Sequence, residues 1–282
     1  MMDCKTVKAK TVVITGAGGT LCSEMARALS GKGWKVALLG RTLEKLKKVE
    51  EVILKTGGCA ISVEVDVSDE ASINLAHETV MNSLGICSVL INGAGGNQME
   101  AITTMNQFDP QELSDSSESR GFFNLDMGAF QKVLEINTHG NGNSCQVFGR
   151  DMAENGGGCI VNIASMNSYR PLSRVGAYGM AKAGILNFTQ WLAAYLAPAG
   201  IRVNAIAPGF FLNEKSRLRL LTPDGKYSER GQNIIDHTPM AQFGEPGQLT
   251  GCLNWLIDDS ASDFVTGITI PVDGGFLANS GI

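Results

Sequence analysis

Apolar, β-branched runs of strand length recur at Thr11–Thr15, Val36–Leu39, Ile61–Val65, Val89–Ile91, Cys159–Ile163, Arg202–Ile206 and Ile268–Pro271. Between most of them lie longer segments whose apolar positions repeat at helical spacing: Leu21–Ser30, Leu43–Lys55, Glu70–Leu84, Phe130–Phe148 and Tyr178–Leu196. Strand alternating with helix predicts parallel strands, right-handed crossovers and a sheet covered on both faces. The expected fold is α/β, a doubly wound parallel sheet of about seven strands in a three-layer sandwich, with ligands at the carboxyl ends of the strands. No Pro/Ser-rich linker divides the 282 residues, so a single domain over residues 1–282 is expected.

Two stretches break the rhythm. Residues 106–120 are acidic and Ser-rich, open on Asp109-Pro110, and read as a surface excursion or a mobile loop. Residues 210–240 follow Pro208-Gly209 and mix aromatics with charges, the composition of a lid over a substrate.

Composition narrows the partners. A hydrophobic content of 44%, a charged content of 18% and 34 glycines describe a well-buried globular protein with many tight turns. The net charge is −5, and the dispersed Lys and Arg form no basic stripe, which argues against nucleic acid. The first residues carry mixed charge rather than an apolar leader, and no apolar run reaches membrane-spanning length. Seven scattered cysteines without a C-x-x-C pair read as reduced thiols, mostly core hydrophobes, and the expected compartment is the cytoplasm. His77, His139 and His237 show no ligand spacing, so no metal is expected.

Strand-end chemistry is concentrated on one sheet edge. The first strand runs through Thr15-Gly16-Ala17-Gly18-Gly19-Thr20-Leu21-Cys22 straight into a helix. Glycines there let the backbone approach a pyrophosphate, whose charge a helix N-terminus favours. Asp66-Val67 ends the third strand, and Asn92-Gly93-Ala94-Gly95 ends the fourth. At the end of the second strand Gly40 offers no carboxylate to a ribose hydroxyl, while Arg41 offers charge to a 2′-phosphate. NADP(H) is therefore favoured, with NAD(H) possible.

Tyr178 and Lys182 stand four residues apart in a helix-prone run, and so share one helix face. A phenol titrates near 10, so it works as an acid/base near neutrality only beside a cation that favours the phenolate. Lys182 is placed to be that cation.

With these residues in place the chain resembles the short-chain dehydrogenase/reductase family, a Rossmann-fold family, along nearly its whole length. The carrying motifs are Thr15/Gly16, Asn92–Gly95, Asn137, Ser165, Tyr178/Lys182 and Pro208-Gly209. Two departures stand out: Thr20 and Cys22 occupy the usual second and third glycines of the first loop, and Gly93 replaces an Asn. The resemblance implies an NAD(P)-dependent oxidoreductase acting on CH-OH groups. Tyr178 would exchange the proton, Lys182 would lower its pKa and hold the nicotinamide ribose, and Ser165 would hydrogen-bond the reacting oxygen. Asn137 would hold a water linking Lys182 to solvent. The expected cofactor contacts are Gly16, Gly18, Gly19, Thr20, Leu21, Arg41, Asp66, Val67, Asn92, Ala94, Gly95, Tyr178, Lys182, Pro208, Gly209 and Phe211.

Within the family the chain is similar to the D-mannonate oxidoreductase (fructuronate reductase) branch. The signals are Gly18–Cys22, Leu90–Asn97, Ser165–Leu172, Asn187–Leu192, Ala207–Phe211 and Pro271–Phe276. This implies reversible reduction of D-fructuronate, a keto-uronic acid, to D-mannonate. Arg170 and Arg174 are candidates for the substrate carboxylate, since a planar guanidinium fits one bidentately, and Asn97, Asn167 and Tyr169 are candidates for hydroxyls. Open alternatives are a gluconate 5-dehydrogenase or related sugar dehydrogenase, a 3-oxoacyl reductase, and a non-catalytic nucleotide-binding protein. Family habit also implies a homotetramer or homodimer through the Tyr178–Leu196 helix and the Phe264–Phe276 segment.

Overall fold

The computed structural model describes residues 9–114 and 118–279. The expectation of no leader at residues 1–8, and residues 115–117 of the predicted excursion, lie outside the described residues. Seven strands form one sheet in the order β3-β2-β1-β4-β5-β6-β7, every pair parallel. They are β1 Thr11–Thr15, β2 Lys35–Gly40, β3 Cys59–Glu64, β4 Cys87–Asn92, β5 Gly158–Ile163, β6 Ile201–Pro208 and β7 Thr269–Val272. The main crossover helices are α1 Thr20–Gly31, α2 Leu43–Lys55, α3 Glu70–Leu84, α4 Met127–Leu134, α5 Gly140–Glu154 and α6 Gly176–Leu196. None of the described helices is long and apolar enough to cross a membrane.

All five residues of β1 are buried, as a strand covered on both faces requires. Alternation sends Val12 and Ile14 to a core with Met25, Leu29 and Leu253, and Val13 to a core with Leu39, Phe148 and Val203. The chain order reverses at β1, which has β2 on one side and β4 on the other. The crevice at the carboxyl ends of β1 and β4 is therefore the place where this topology opens a ligand site.

Three local findings differ from the pattern reading. The helix expected over Phe130–Phe148 is two helices, α4 and α5, joined by a π turn over Glu135–His139. The excursion carries a short 3-10 turn, Pro110–Leu113, held by an Asp109 capping box. Glu112 is buried there, its carboxylate accepting from the Phe123 and Asp109 amides at 3.1 and 3.3 Å. Cys59 is disulfide-bonded, correcting the expectation that every thiol is reduced; Cys22, Cys87, Cys145, Cys159 and Cys252 are free.

Segment 210–240 is itself folded, with α7 Glu214–Leu220 and α8 Glu229–Asp236. Leu220, Ile234, Ile235 and Phe243 give it a small core of its own, against which Phe210 and Leu212 pack.

Candidate active site

The first wall of the crevice is the β1–α1 loop. Gly16 adopts φ +69°, and a Cβ there would stand 2.6 Å from the Gly93 carbonyl oxygen, so only glycine lets the two strand ends approach this closely. Thr15 fastens the same approach: its Oγ1 accepts from the Gly93 and Ala94 amides, both at 3.1 Å. This tether was not singled out in the sequence, where a buried polar residue ending an apolar strand was its only signal. Helix α1 starts at Thr20 with no side-chain cap and no acidic residue in its first turn. Its free amides and its positive dipole end therefore face the crevice, as a pyrophosphate requires.

The two unusual positions explain one another. A Cβ on Gly93 would overlap the Cys22 Sγ, so the larger residue at 22 fills space that the absent side chain at 93 leaves. Burial pushes the Cys22 thiol up to about 12, against the opposing pull of Lys182. It is packed as a neutral apolar group.

A cavity of about 370 Å³ lies along the ends of β2 and β3, lined by Arg41, Asp66, Ser68, Asp69, Gln98, Lys132, Glu135 and Ile136. Arg41 is exposed at its rim, while the Asp66 carboxylate accepts from the Ser68 amide at 2.9 Å. Buried Val67 is fixed through its carbonyl by Asn143 Nδ2 at 3.0 Å. Two cations, Arg41 and Lys132, and three carboxylates, Asp66, Asp69 and Glu135, stand on its walls.

Tyr178, Lys182 and Ser165 do meet. Ser165 stands beside the Tyr178 phenol, where it favours the phenolate, and the Ser165 Oγ accepts from the Asn167 amide at 3.1 Å. Burial pushes the Tyr178 phenol above its usual value, and Ser165 opposes that. Lys182 Nζ donates to the Ile163 carbonyl at 2.8 Å and stands over the Tyr178 ring, 5.6 Å from its centre. Burial holds the Lys182 ammonium down to about 8.

The π turn aims Asn137 at the β4 loop. Its Oδ1 accepts from the Gly96 amide at 3.2 Å, and its Nδ2 donates to the Gly96 and Val133 carbonyls at 2.7 and 2.8 Å. Both amide protons are spent on protein carbonyls, so the side chain clamps the loop beside Lys182.

Several expected contacts are spent elsewhere. Asn92 points into the core, donating to Asn162 Oδ1 at 3.0 Å and to Cys145 Sγ at 3.1 Å. It supports Gly93–Gly95 from below and does not face the crevice. Asn167 is buried; its Oδ1 accepts from the Leu172 amide at 2.8 Å, which folds the loop before α6, while its Nδ2 has no hydrogen-bond partner among the described residues and stays available to a substrate hydroxyl. Arg170 donates to the Asn279 and Leu277 carbonyls at 2.7 and 3.3 Å, so it pins the C-terminal segment instead of a substrate. Arg174, at φ +74°, spends only Nε, on the Thr103 carbonyl at 2.7 Å. Asn97 is exposed and accepts locally from the Gln98 amide at 3.1 Å. Pro208 ends β6, Gly209 donates to the Val272 carbonyl at 2.9 Å, and Phe211 bridges to Gly244 beside a cavity of about 190 Å³.

The same fold recurs in known proteins. The chain is 46% identical to an uncharacterized oxidoreductase, UxuB, of Bacillus subtilis, over 97% of this chain and 96% of that one. A crystal structure with bound NAD, from Haemophilus influenza and provisionally named a D-mannonate oxidoreductase, superposes with a TM-score of 0.92 at 40% identity, covering 99% of each chain. A Beutenbergia cavernae structure with bound NADP, provisionally named an NAD(P)-dependent gluconate 5-dehydrogenase, gives 0.79 at 29% identity over 96% of this chain and 98% of that one. The sequence pattern described as short chain dehydrogenase matches residues 10–218, from the Gly16 loop past the Tyr178 helix. The chain belongs to the short-chain dehydrogenase family.

Proposed function

We propose that the protein is an NAD(P)-dependent oxidoreductase that interconverts D-fructuronate and D-mannonate. The observation that carries the reaction type is Ser165 beside the Tyr178 phenol with Lys182 one helical turn along, at the crevice where the strand order reverses. Likeness to the NAD-bound Haemophilus structure supports the sugar-acid substrate.

When bound, the nicotinamide supplies or accepts the hydride. Tyr178 gives its phenolic proton to the substrate oxygen as the ketone becomes an alcohol, and takes it back in the reverse direction. Ser165 holds that oxygen beside the phenol. Lys182, with an ammonium already held down to about 8, exchanges protons near neutrality and restores the phenol. Asn137 is a positioning residue, keeping Gly96 and the β4 loop in register with Lys182. Gly16, Gly18, Gly19, Thr20 and Leu21 hold the pyrophosphate on the α1 amides, and Asp66, Val67 and Arg41 hold the adenosine. Arg41 favours NADP(H), with NAD(H) usable. Ala94 and Gly95, with Pro208, Gly209 and Phe211, border the nicotinamide.

An assembled form is part of the proposal. Phe188, Trp191 and Tyr195 stack along α6, with Trp191 and Tyr195 exposed, and Phe264 is fully exposed, which supports pairing of these faces in a dimer or tetramer.

Replacing Tyr178 by Phe keeps the ring and removes the proton. We expect kcat for fructuronate reduction to fall at least about a hundredfold, the scale of general acid catalysis, with an unchanged circular dichroism spectrum. Retention of most activity would overturn the acid/base assignment. Turnover of 5-ketogluconate but not fructuronate by the wild type would move the substrate to the gluconate side.

A further inference from the structure

The loop after β4 is gripped by arginines from three distant segments. Arg120 donates to the Ile102 and Met99 carbonyls, both at 2.7 Å. Arg174, four residues ahead of Tyr178, donates through Nε to Thr103 at 2.7 Å. Arg219 of α7 lays Nη2 3.9 Å from the Met99 Sδ, a weak acceptor that leaves a guanidinium largely unsatisfied. This loop belongs to the catalytic neighbourhood, because Ala101 packs in one small cluster with Ala177 and Tyr178.

Arg230 of α8 is brought to the same place by the backbone. A Cβ on Gly231 would overlap the Leu220 carbonyl oxygen, Ser228 Oγ donates to the Arg219 carbonyl at 2.8 Å, and the Ser228 amide donates to Leu220 at 2.9 Å. The start of α8 is thereby stitched to the end of α7, setting Arg230 beside Arg219. Burial first, and then the positive charges of Arg174 and Arg219, hold the Arg230 guanidinium below its usual range. None of Arg174, Arg219 and Arg230 has an ion-pair partner among the described residues. Three like charges gathered with no acid between them repel one another, and an anion seated among them removes that repulsion.

We propose that Arg174, Arg219 and Arg230, the last two solvent-exposed, form the anion recess that the substrate's carboxylate completes when it seats among them. Arg174 keeps both Nη groups free for it, and the α7–α8 unit delivers the other two guanidinium forks. In fructuronate the carboxylate lies toward the opposite end of the carbon chain from the reacting ketone, so it needs partners other than Ser165 and Tyr178. The assignment rests on the sugar-acid reading above, and it replaces Arg170 by Arg219 and Arg230 as the carboxylate partners.

Calorimetric titration of the enzyme with saturating NADP+ separates the two ideas, using D-mannonate, D-gluconate and the neutral polyol D-mannitol as probes. We expect an aldonate to bind and the polyol not to. In Arg219→Gln and Arg230→Gln we expect aldonate binding at least tenfold weaker, with the NADP+ titration and the circular dichroism spectrum unchanged. Gluconate binding without mannonate binding would refute the fructuronate substrate and leave the recess standing. Polyol binding as tight as aldonate binding, no aldonate binding by the wild type, or unchanged aldonate affinity in both variants would overturn the recess.

Discussion

The pairing of Cys22 with Gly93 makes a quantitative prediction. Placing a methyl on Gly93 drives it into the Cys22 Sγ and to 3.0 Å from the Thr15 carbonyl oxygen. Both neighbours are buried, and Thr15 Oγ1 already ties this strand end to Gly93 and Ala94, so little can yield. Overpacking of this kind costs about 1–3 kcal/mol. Cys22→Ala removes one buried sulfur and should cost about 1 kcal/mol. In the double variant the new methyl at 93 occupies the space the sulfur left, so most of the overpacking cost disappears. The cycle should show a favourable coupling of about 1–2 kcal/mol. Urea unfolding of wild type, Cys22→Ala, Gly93→Ala and the double variant, followed by tryptophan fluorescence, measures it. Additivity within about 0.5 kcal/mol would refute the claim that these two positions compensate.

Lys182→Met tests the buried ammonium. Its folded value of about 8 lies below the usual lysine value of 10.5, so the unfolded chain binds more protons between those two pH values. Wild-type stability should therefore rise relative to the variant as pH climbs from 8 to 10, by about 2–3 kcal/mol at about 1.4 kcal/mol per pH unit. Parallel stability profiles for the two proteins would show that burial leaves the ammonium unperturbed. At the cofactor end, Arg41→Ala should raise the KM for NADPH about tenfold, the scale of a lost charge-assisted hydrogen bond, while leaving the KM for NADH within about twofold. Equal losses with both cofactors would remove Arg41 from the 2′-phosphate.

Much of this was legible because it depends on residue type and period. The run Thr11–Thr15 is a strand at the bounds read from its apolar pattern, and Leu43–Lys55 and Glu70–Leu84 are helices at theirs. Ser165, Tyr178 and Lys182 meet because strand end and helix face determine where they point. What failed depends on partners far along the chain. Arg170 bonds Leu277 and Asn279, more than a hundred residues away, and no local pattern marks that. Asn92 faces inward because Asn162 and Cys145 await it there, joined to Thr189 through Asn162 Nδ2 at 2.9 Å. Arg219 and Arg230 were passed over because only Gly231 and Ser228, by letting α8 close on α7, make neighbours of them.

The π turn at Glu135–His139 amounts to a single surplus residue inside one long helical rod. Deleting it would let α4 and α5 run on as a regular helix and would recover the lost backbone bond geometry. It would also turn everything beyond the deletion by about 100° relative to α4. Either Asn137 would swing off Gly96, or the face of α5 that buries Cys145, Phe148 and Met152 would leave the sheet. The rod thus serves two masters, a loop at one end and a core at the other, whose angular demands differ by about one residue. A shortened, straightened variant should fold with a more stable helix and a displaced β4 loop, trading reactivity for regularity.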